Sequence, residues 1–195
     1  MTIIRQATSE ELNEYAKIPM TVLVESIFKV DIIDSGFGGF QLSEQPVKNP
    51  WLKNYDDEGD DTNVAGWLEQ FDVTNWSFLL AEVDGRIAGG ATIASRTDGV
   101  HMLDSRDDLG VLWDLRVSDA FKRQGVGAAL FRAAVDWQSS EGLKQVKIET
   151  QNVNVPACRF YAAMGCELRG IIHHSYAADD PPVDEEVQFH WWLDL

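Results

Sequence analysis

The feature that most constrains this chain is a strand pattern that passes through a short basic turn into a glycine-opened segment. Residues 112–127 read LWDLRVSDAFKRQGVG. Beyond Gly125, apolar residues recur with a helical period at Val126, Leu130, Ala133, Ala134 and Trp137. Both glycines therefore lie at a predicted helix N-terminus, where free N–H groups and the helix dipole favour an anion. The pattern indicates a phosphate-binding turn, and an ordinary strand-to-helix turn is the alternative.

A second motif, at residues 154–166, reads NVPACRFYAAMGC. Taken together, KRQGVG after a Leu-x-Val strand and N-x-x-A-x-x-F-Y-x-x-x-G resemble the acetyl-CoA site of the GCN5-related N-acetyltransferase (GNAT) superfamily. That superfamily usually has Gln or Arg at the first position of the glycine loop. Lys122 stands there in this chain and keeps the positive charge.

A narrower resemblance extends beyond the GNAT motifs, which cover residues 76–177. Residues 148–158, IETQNVNVPAC, resemble the streptothricin acetyltransferases, as do a glutamate and paired tryptophans near the C-terminus. The acidic stretch after Tyr55 and residues 28–36 agree with this more loosely. The resemblance implies a single α/β (α+β) GNAT domain over residues 1–195, built on a mixed, mostly antiparallel twisted sheet of about seven strands. It also implies flanking helices and a splayed acetyl-CoA cleft in the sheet.

The resemblance further implies acetyl-CoA as the co-substrate, with no metal. The positions matching the superfamily's acetyl-CoA site are Leu115, Arg116, Val117, Lys122, Arg123, Gln124, Gly125, Val126, Gly127, Ala128, Asn154, Ala157 and Tyr161.

Acetyl transfer to an amine requires a polarised thioester carbonyl, a neutral amine in line with it, and a proton for the departing thiolate. The GNAT resemblance implies that backbone N–H groups near the end of the strand at residues 112–117 bind the pantetheine arm and the thioester oxygen. Tyr161 stands where the superfamily places a tyrosine that protonates the sulfur. The alternative is a core aromatic residue beside Phe160. Asn154 is expected to be both a helix cap and a contact to CoA.

The acceptor amine needs a base, because an ammonium with a pKa near 10.4 is neutral in only about one molecule in 2,500 at pH 7. Deprotonation then costs roughly 4.6 kcal/mol. Asp114 is the first candidate and Glu149 the second. Many superfamily members carry an acidic residue where this chain has Trp113, so that base is absent.

Both carboxylates have other interpretations. Strand alternation predicts that Leu112, Asp114 and Arg116 share a face, so Asp114 could form an ion pair with Arg116 instead. Glu149 could hold the substrate ammonium, or form a surface ion pair with Lys147. These alternatives remain open from the sequence.

The formal net charge of −16 argues against nucleic acid and anionic membranes as partners and favours a cationic one. Thirteen of the 32 acidic residues are clustered. The clusters are Asp56, Asp57, Glu58, Asp60 and Asp61; Asp104, Asp107 and Asp108; and Asp179, Asp180, Asp184, Glu185 and Glu186. Solvated loops that maintain solubility are the alternative to a substrate-attracting role.

Other features of the chain argue against a secreted, a membrane-spanning or a metal-binding protein. No secretory signal precedes the first predicted strand, and no apolar run reaches the length of about 20 residues that a membrane helix needs, so a cytoplasmic location is expected. Cys158 and Cys166 lack metal-site spacing, and Cys158 is expected to pack on a helix face. His173 and His174 would point to opposite faces of a strand. Exposed strand edges would allow a homodimer.

The remaining pattern predicts an order of elements that supports a β-α-β-α-β core. Strands are expected at residues 2–6, 77–83, 86–95, 110–117, 144–150, 166–176 and 187–193. Helices are expected from Thr8 to before Pro19 and at 125–140 and 155–164, with loops at 36–39 and 51–63. Residues 21–33 suit a helix or a strand, with a helix favoured, and residues 64–71 could form a helical turn or two.

Two classes of function follow. The first is an N-acetyltransferase that moves the acetyl group to a primary amine of a small cationic substrate by direct attack through a tetrahedral intermediate. The streptothricin resemblance implies the β-lysine amine of that antibiotic, and hence resistance; a polyamine, another amine or a protein N-terminus is the alternative acceptor. The second class is a CoA-binding sensor without turnover.

Overall fold

The computed structural model describes residues 1–57, 64, 66–179 and 183–195. These residues form two compact units. The first unit comprises Met1–Thr21, Asn54–Ile148 and Trp192–Leu195, and the second comprises Val22–Lys53 and Glu149–Trp191. The expectation of one domain stays a prediction.

The strands and helices follow the predicted pattern except in three segments, described below. The strands are β1 (Thr2–Gln6), β2 (Thr21–Ile32), β3 (Phe40–Asn54), β4 (Ser77–Val83), β5 (Arg86–Ser95), β6 (Leu109–Val117), β7 (Gln145–Gln151), β8 (Glu167–Ile172) and β9 (Gln188–Asp194). The helices are α1 (Leu12–Tyr15), α2 (Trp67–Gln70), α3 (Val126–Ser140) and α4 (Val155–Ala163). Short 3-10 turns lie at Ser9–Glu11, Asp34–Gly36, Tyr55–Asp57, His101–Leu103, Asp119–Phe121 and Val183–Glu185.

Seven strands form one mixed sheet in the order β1-β4-β5-β6-β7-β9-β8, and β2 and β3 form a two-stranded sheet. The predicted α+β class is therefore confirmed. In the first unit, β1–β4, β4–β5 and β5–β6 are antiparallel, and β6 pairs with β7 in parallel at Leu109–Val111 and Gln145–Lys147. A parallel pair needs a crossover, which α3 supplies. Apolar side chains of the sheet and of α3, such as Ile93, Val146 and Leu130, are fully buried.

A β-bulge interrupts β6 at Trp113. Asp114 lies opposite Thr92 and Leu112 lies opposite Ile93, so the register shifts by one residue between these pairs. Opposed residues of an antiparallel pair share a face, and neighbours along a strand alternate. Asp114 therefore faces the side of Thr92, and Leu112 faces the opposite side. The prediction that Leu112 shares the face of Asp114 is wrong, because a bulge adds a residue that strict alternation does not anticipate.

Trp113 enters an aromatic cluster of the first unit. Its ring centroid lies 6.5 Å from that of Trp67, 5.8 Å from that of Phe71 and 6.0 Å from that of Trp76. Edge-to-face and tilted contacts of this kind each add to the stabilisation from burial. Trp113 is therefore part of the apolar packing.

Three segments differ from the prediction. The strand expected at 166–176 covers only Glu167–Ile172, and residues 173–176 form a turn, so His173 and His174 do not lie in a strand. Residues 21–33 were expected to be helical, but Thr21–Ile32 form β2, because β-branched and aromatic side chains there fit a strand paired with β3. The loop expected at 51–63 begins later, since β3 continues through Asn54 and Tyr55–Asp57 form a 3-10 turn. Residues 58–63 lie outside the described part of the chain.

Asn152 joins three segments of the second unit by four hydrogen bonds. Its N–H donates to the Val187 carbonyl at 2.9 Å, and its Oδ1 accepts from the Val187 N–H at 2.9 Å. Its carbonyl accepts from the Phe28 N–H at 2.9 Å, and its Nδ2 donates to the Phe28 carbonyl at 3.1 Å. The Asn152 side chain thus adds a second hydrogen bond to each backbone contact, one with Val187 and one with Phe28. Asn152 lies shortly before α4.

Replacing Asn152 by alanine should lower the free energy of unfolding by about 2–3 kcal/mol, because backbone groups of Val187 and Phe28 would lose their partners. Urea unfolding measures the change. Asn75→Ala is the matched control, since the Asn75 amide donates to the Arg96 carbonyl at an exposed position and should change stability by less than about 0.5 kcal/mol. Equal effects of the two substitutions would contradict this account.

Within the residues that the structure covers, no helix is both long and apolar enough to cross a membrane.

Candidate functional site

The glycine turn of the first unit leads into α3 as the sequence predicts. Arg123 and Gly125 have φ of +62° and +85°, and Gly125 caps the helix. The Ala129 N–H donates to the Gly125 carbonyl at 3.0 Å, so the N–H groups of residues 126–128 precede the intrahelical ladder. A cluster of backbone donors at the positive end of a 15-residue helix suits an anion such as a pyrophosphate.

Cationic and polar side chains surround this turn. Lys122, Arg123 and Gln124 are exposed, and Lys122 Nζ lies 2.6 Å from Asp119 Oδ1. An exposed ion pair of this type contributes little to stability, so Lys122 can exchange Asp119 for a phosphate at small cost. Charges elsewhere on the acidic chain are screened over about 8 Å at physiological salt. The turn therefore fits the phosphates of CoA despite the net charge.

The C-terminal half of β6 leads into this turn. Leu115, Arg116 and Val117 lie opposite Ala91, Gly90 and Gly89 of β5. The cleft expected in the sheet beside these residues stays a prediction.

Asp114 lies in a buried network of the first unit and is 4% exposed. Its Oδ1 accepts a hydrogen bond from the Tyr15 hydroxyl at 2.5 Å. Arg116 Nη2 donates to Oδ2 at 2.5 Å. Arg116 Nε lies 3.0 Å from Oδ1 and 3.1 Å from Oδ2 and donates to both. Both carboxylate oxygens are thus engaged. The ion pair with Arg116, one of the two interpretations that the sequence left open, is present.

Burial and the neighbouring charges keep Tyr15 and Arg116 protonated in this network. Burial, followed by the Asp114 charge, raises the pKa of Tyr15 well above its usual value, so the phenol remains a donor. Burial alone would lower the pKa of Arg116, but Asp114 and Asp56 raise it above its ordinary range. Arg116 Nη1 also donates to Asp56 Oδ1 and to the Ile18 carbonyl, each at 3.0 Å. This arrangement favours a structural role for Asp114.

Helix α4 carries Asn154 and Tyr161 in the second unit. Asn154 Oδ1 accepts from the Ala157 N–H at 3.1 Å and Pro156 lies in the first turn, so the predicted cap is confirmed. Gly165, with φ of +93°, follows the helix end. Tyr161 is 7% exposed and its ring lies edge-on to Phe160 at 5.2 Å. The proposed contacts of Asn154, Ala157 and Tyr161 with CoA stay predictions.

Glu149, on β7, is only partly buried, which distinguishes it from Asp114. Its Oε1 accepts from the Tyr176 hydroxyl at 2.6 Å and from Gln151 Nε2 at 3.4 Å. Sequence reasoning missed Tyr176, because no motif or regular spacing links the loop after β8 to β7. It likewise missed the hydrogen bond of Tyr15 to Asp114 and that of Arg116 to Asp56.

Lys147, considered as a partner of Glu149, forms its ion pair with Asp104. Its Nζ lies 3.0 and 2.9 Å from the two Asp104 oxygens and 5.3 Å from the centroid of the Trp192 ring. The Lys147 side chain is 6% exposed in this setting, so it serves packing as well as charge.

Several members of the acidic clusters also have internal partners. Asp108 pairs with Arg106 at 2.8 Å, and Glu186 pairs with Lys53 at 2.8 Å where both side chains are 4% exposed. Asp56 and Asp104 pair with Arg116 and Lys147 as described above. Glu58, Asp60, Asp61 and Asp180 lie outside the described residues, and the side chain of Asp184 does too. The clusters are therefore partly structural.

The histidine and cysteine residues give no metal centre in the part of the chain described. No group of three or more His, Cys, Asp or Glu side chains there could hold a metal ion. The Cys158 Sγ lies 3.4 Å from Thr150 Oγ1, and both cysteines are free and buried. The predicted packing role of Cys158 on a helix face is confirmed.

We expect both thiols to be inert in the native protein. Burial raises the pKa of Cys158 and of Cys166 to about 11, so the thiolate fraction near pH 8 is on the order of 10⁻³. A chromogenic disulfide reagent should react with neither cysteine in native buffer and with both in denaturant. Rapid reaction of either native thiol would contradict this. The same reagent can therefore report CoA release with little background from the protein.

Comparison with known proteins adds a family match. The family model described as Acetyltransferase (GNAT) family matches residues 42–166. A streptothricin acetyltransferase of Escherichia coli is 30% identical over 173 residues, which are 87% of this chain and 83% of that protein. Streptothricin acetyltransferase A of Bacillus subtilis (strain 168) is 28% identical over 155 residues, 80% of each chain.

Solved structures share the fold. The crystal structure of nourseothricin acetyltransferase gives a TM-score of 0.76 at 21% identity, covering 99% of this chain and 98% of that one. A protein from Bacillus anthracis str. Ames, determined in complex with acetyl coenzyme A, gives a TM-score of 0.79 at 19% identity and covers 100% of both chains. The second of these structures contains the co-substrate that the sequence motifs imply for this chain.

Proposed function

Since this chain belongs to the Acetyltransferase (GNAT) family and is an acetyl-CoA-dependent N-acetyltransferase, we propose that it acetylates a primary amine of streptothricin. The observation that carries this proposal is the identity of 27–30% to three streptothricin acetyltransferases, which extends over 79–87% of the chain. The net charge of −16 supports a cationic acceptor of this kind. Acetylation of such an amine would confer resistance to the antibiotic.

The glycine turn is proposed to hold the pyrophosphate of the co-substrate. Lys122 and Arg123 supply charge, and the N–H groups of residues 126–128 supply directed donors at the start of α3. Backbone groups of Leu115–Val117 would bind the pantetheine arm and polarise the thioester carbonyl. Asn154 and Ala157 would contact CoA at the start of α4. The co-substrate itself supplies an activated acetyl group and a thiolate leaving group.

The proposed reaction is a direct displacement. The neutral amine attacks the carbonyl carbon of the thioester, so the C–N bond forms and the C–S bond breaks. The nitrogen loses a proton to a carboxylate, and the Tyr161 hydroxyl gives a proton to the departing sulfur. The products are an acetamide and the CoA thiol. The substrate ammonium loses two protons in all: one passes to solvent as the neutral amine forms, and the one that the carboxylate accepts returns through solvent to the Tyr161 phenolate, so both groups are regenerated.

Glu149 is the better candidate for the base. Asp114 is 4% exposed and both its oxygens already accept from Arg116 or Tyr15, so a substrate amine would have to displace these buried bonds. Glu149 is partly exposed, and both of its recorded hydrogen bonds end on Oε1. We therefore assign proton acceptance, direct or through water, to Glu149 and a structural role to Asp114.

The experiment is CoA release from acetyl-CoA in the presence of streptothricin, spermidine, an aminoglycoside, lysine and a short peptide. Turnover confined to streptothricin, with mass spectrometry locating one acetyl group on its β-lysine moiety, would support the proposal. Turnover of another amine with none of streptothricin would retain the enzyme class and overturn the substrate. Binding of acetyl-CoA without turnover of any acceptor would favour the sensor function.

A further inference from the structure

Glu149, Gln151 and Tyr176 form a closed hydrogen-bonded triangle in the second unit. The Tyr176 hydroxyl donates to Glu149 Oε1 at 2.6 Å and accepts from Gln151 Nε2 at 2.9 Å. Gln151 Nε2 also lies 3.4 Å from Glu149 Oε1. Glu149 and Gln151 are two residues apart on β7 and so share a face of the strand.

We propose that Tyr176 is a positioning residue for the acceptor amine, because it fixes Oε1 of Glu149 and leaves Oε2 for the substrate. This inference rests on the proposed function, in which Glu149 accepts the proton. Tyr176 touches neither substrate nor co-substrate in this role; it acts through the orientation of the carboxylate.

The distribution of hydrogen bonds on Glu149 supports this assignment. Both donors converge on Oε1, and none of the hydrogen bonds recorded for the described residues ends on Oε2. The partial exposure of Glu149 leaves the carboxylate accessible. A carboxylate held at one oxygen has a defined direction at the other, which lowers the entropy lost when an ammonium or amine binds there.

Tyr176 is suited to act as a permanent donor. Its burial, followed by the charge of Glu149, raises its pKa well above the usual range, so the phenol keeps its proton throughout the range in which enzymes are assayed. Gln151 completes the arrangement by donating to the phenol oxygen, which orients the phenolic hydrogen toward Glu149.

The test is a double-mutant cycle with Tyr176→Phe and Glu149→Gln, measured on streptothricin and on an alkoxyamine acceptor that is neutral at neutral pH. Tyr176→Phe should lower kcat for the cationic acceptor by between about tenfold and hundredfold. The loss should be smaller for the neutral amine, which needs no deprotonation before attack. In the Glu149→Gln background, the second substitution should have little further effect, because Tyr176 acts through Glu149.

Tyr15→Phe is the matched control, since it removes another buried phenol hydroxyl that donates to a carboxylate, that of Asp114. It should affect both acceptors equally, and thermal unfolding should show that all variants are folded. If the wild-type enzyme is active but Tyr176→Phe lowers kcat equally for both acceptors, the positioning role alone is overturned. The same holds if the losses from Tyr176→Phe and Glu149→Gln are additive. A wild-type enzyme that acetylates no acceptor would overturn the proposed function and this inference with it.

Discussion

Arg116→Met should lower the free energy of unfolding by about 3–5 kcal/mol, because it leaves the Asp114 carboxylate buried without its cation. Arg116 donates to Asp114 through Nε and Nη2 and to Asp56 through Nη1, and its side chain is 1% exposed. Methionine retains much of the volume and polarisability but none of the donors. Denaturant unfolding of the full chain measures the effect, with the slope m checked for two-state behaviour.

Two further variants identify the cause of that loss. Combining Arg116→Met with Asp114→Asn should be less destabilising than Arg116→Met alone, because the uncompensated charge is removed. Arg169→Met serves as the surface control: Arg169 pairs with Glu167 at 2.9 Å, and its loss should cost less than about 1 kcal/mol. Similar destabilisation by the two arginine substitutions would show that the buried network contributes no more than a surface pair.

Tyr161→Phe should lower kcat by about 10²–10³, because in the proposed reaction the departing thiolate would lose its proton donor. The affinity for acetyl-CoA should change little, since the ring that packs against Phe160 is retained. Steady-state kinetics with streptothricin and equilibrium binding of acetyl-CoA measure the two effects separately.

The identity of the acid can be examined through the leaving group. An acetyl thioester of a more acidic thiol needs less protonation as the C–S bond breaks, so it should recover much of the activity lost in Tyr161→Phe. An unchanged kcat in the variant would show that Tyr161 is a core aromatic residue. A loss that is equal for both thioesters would assign it to positioning instead of proton transfer.

Much of the fold could be predicted because local signals and tertiary packing agree. The Asp84-Gly85 turn between β4 and β5 requires positive φ at both positions, and the structure has +50° and +73° there. Gly125 and Asn154 likewise mark the starts of α3 and α4, as their local chemistry indicates. Such boundaries depend on a few adjacent residues, which a sequence displays directly.

Other elements depend on partners that are distant in the chain. Residues 21–32 carry an apolar pattern that suits helix or strand, and only pairing with β3 decides it. The bulge at Trp113 depends on the register with β5, which alternation within one strand does not contain. Contacts of Asp114 with Tyr15 and of Glu149 with Tyr176 span 99 and 27 residues, so no local spacing reveals them.

The aromatic cluster around Trp113 limits which substitutions this enzyme can accept one at a time. The substitution Trp113→Glu would place a carboxylate against the rings of Trp67, Phe71 and Trp76. An ionised group in such apolar surroundings is strongly unfavourable. A carboxylate at position 113 is therefore an epistatic change, because it requires coordinated replacement of several aromatic residues around it.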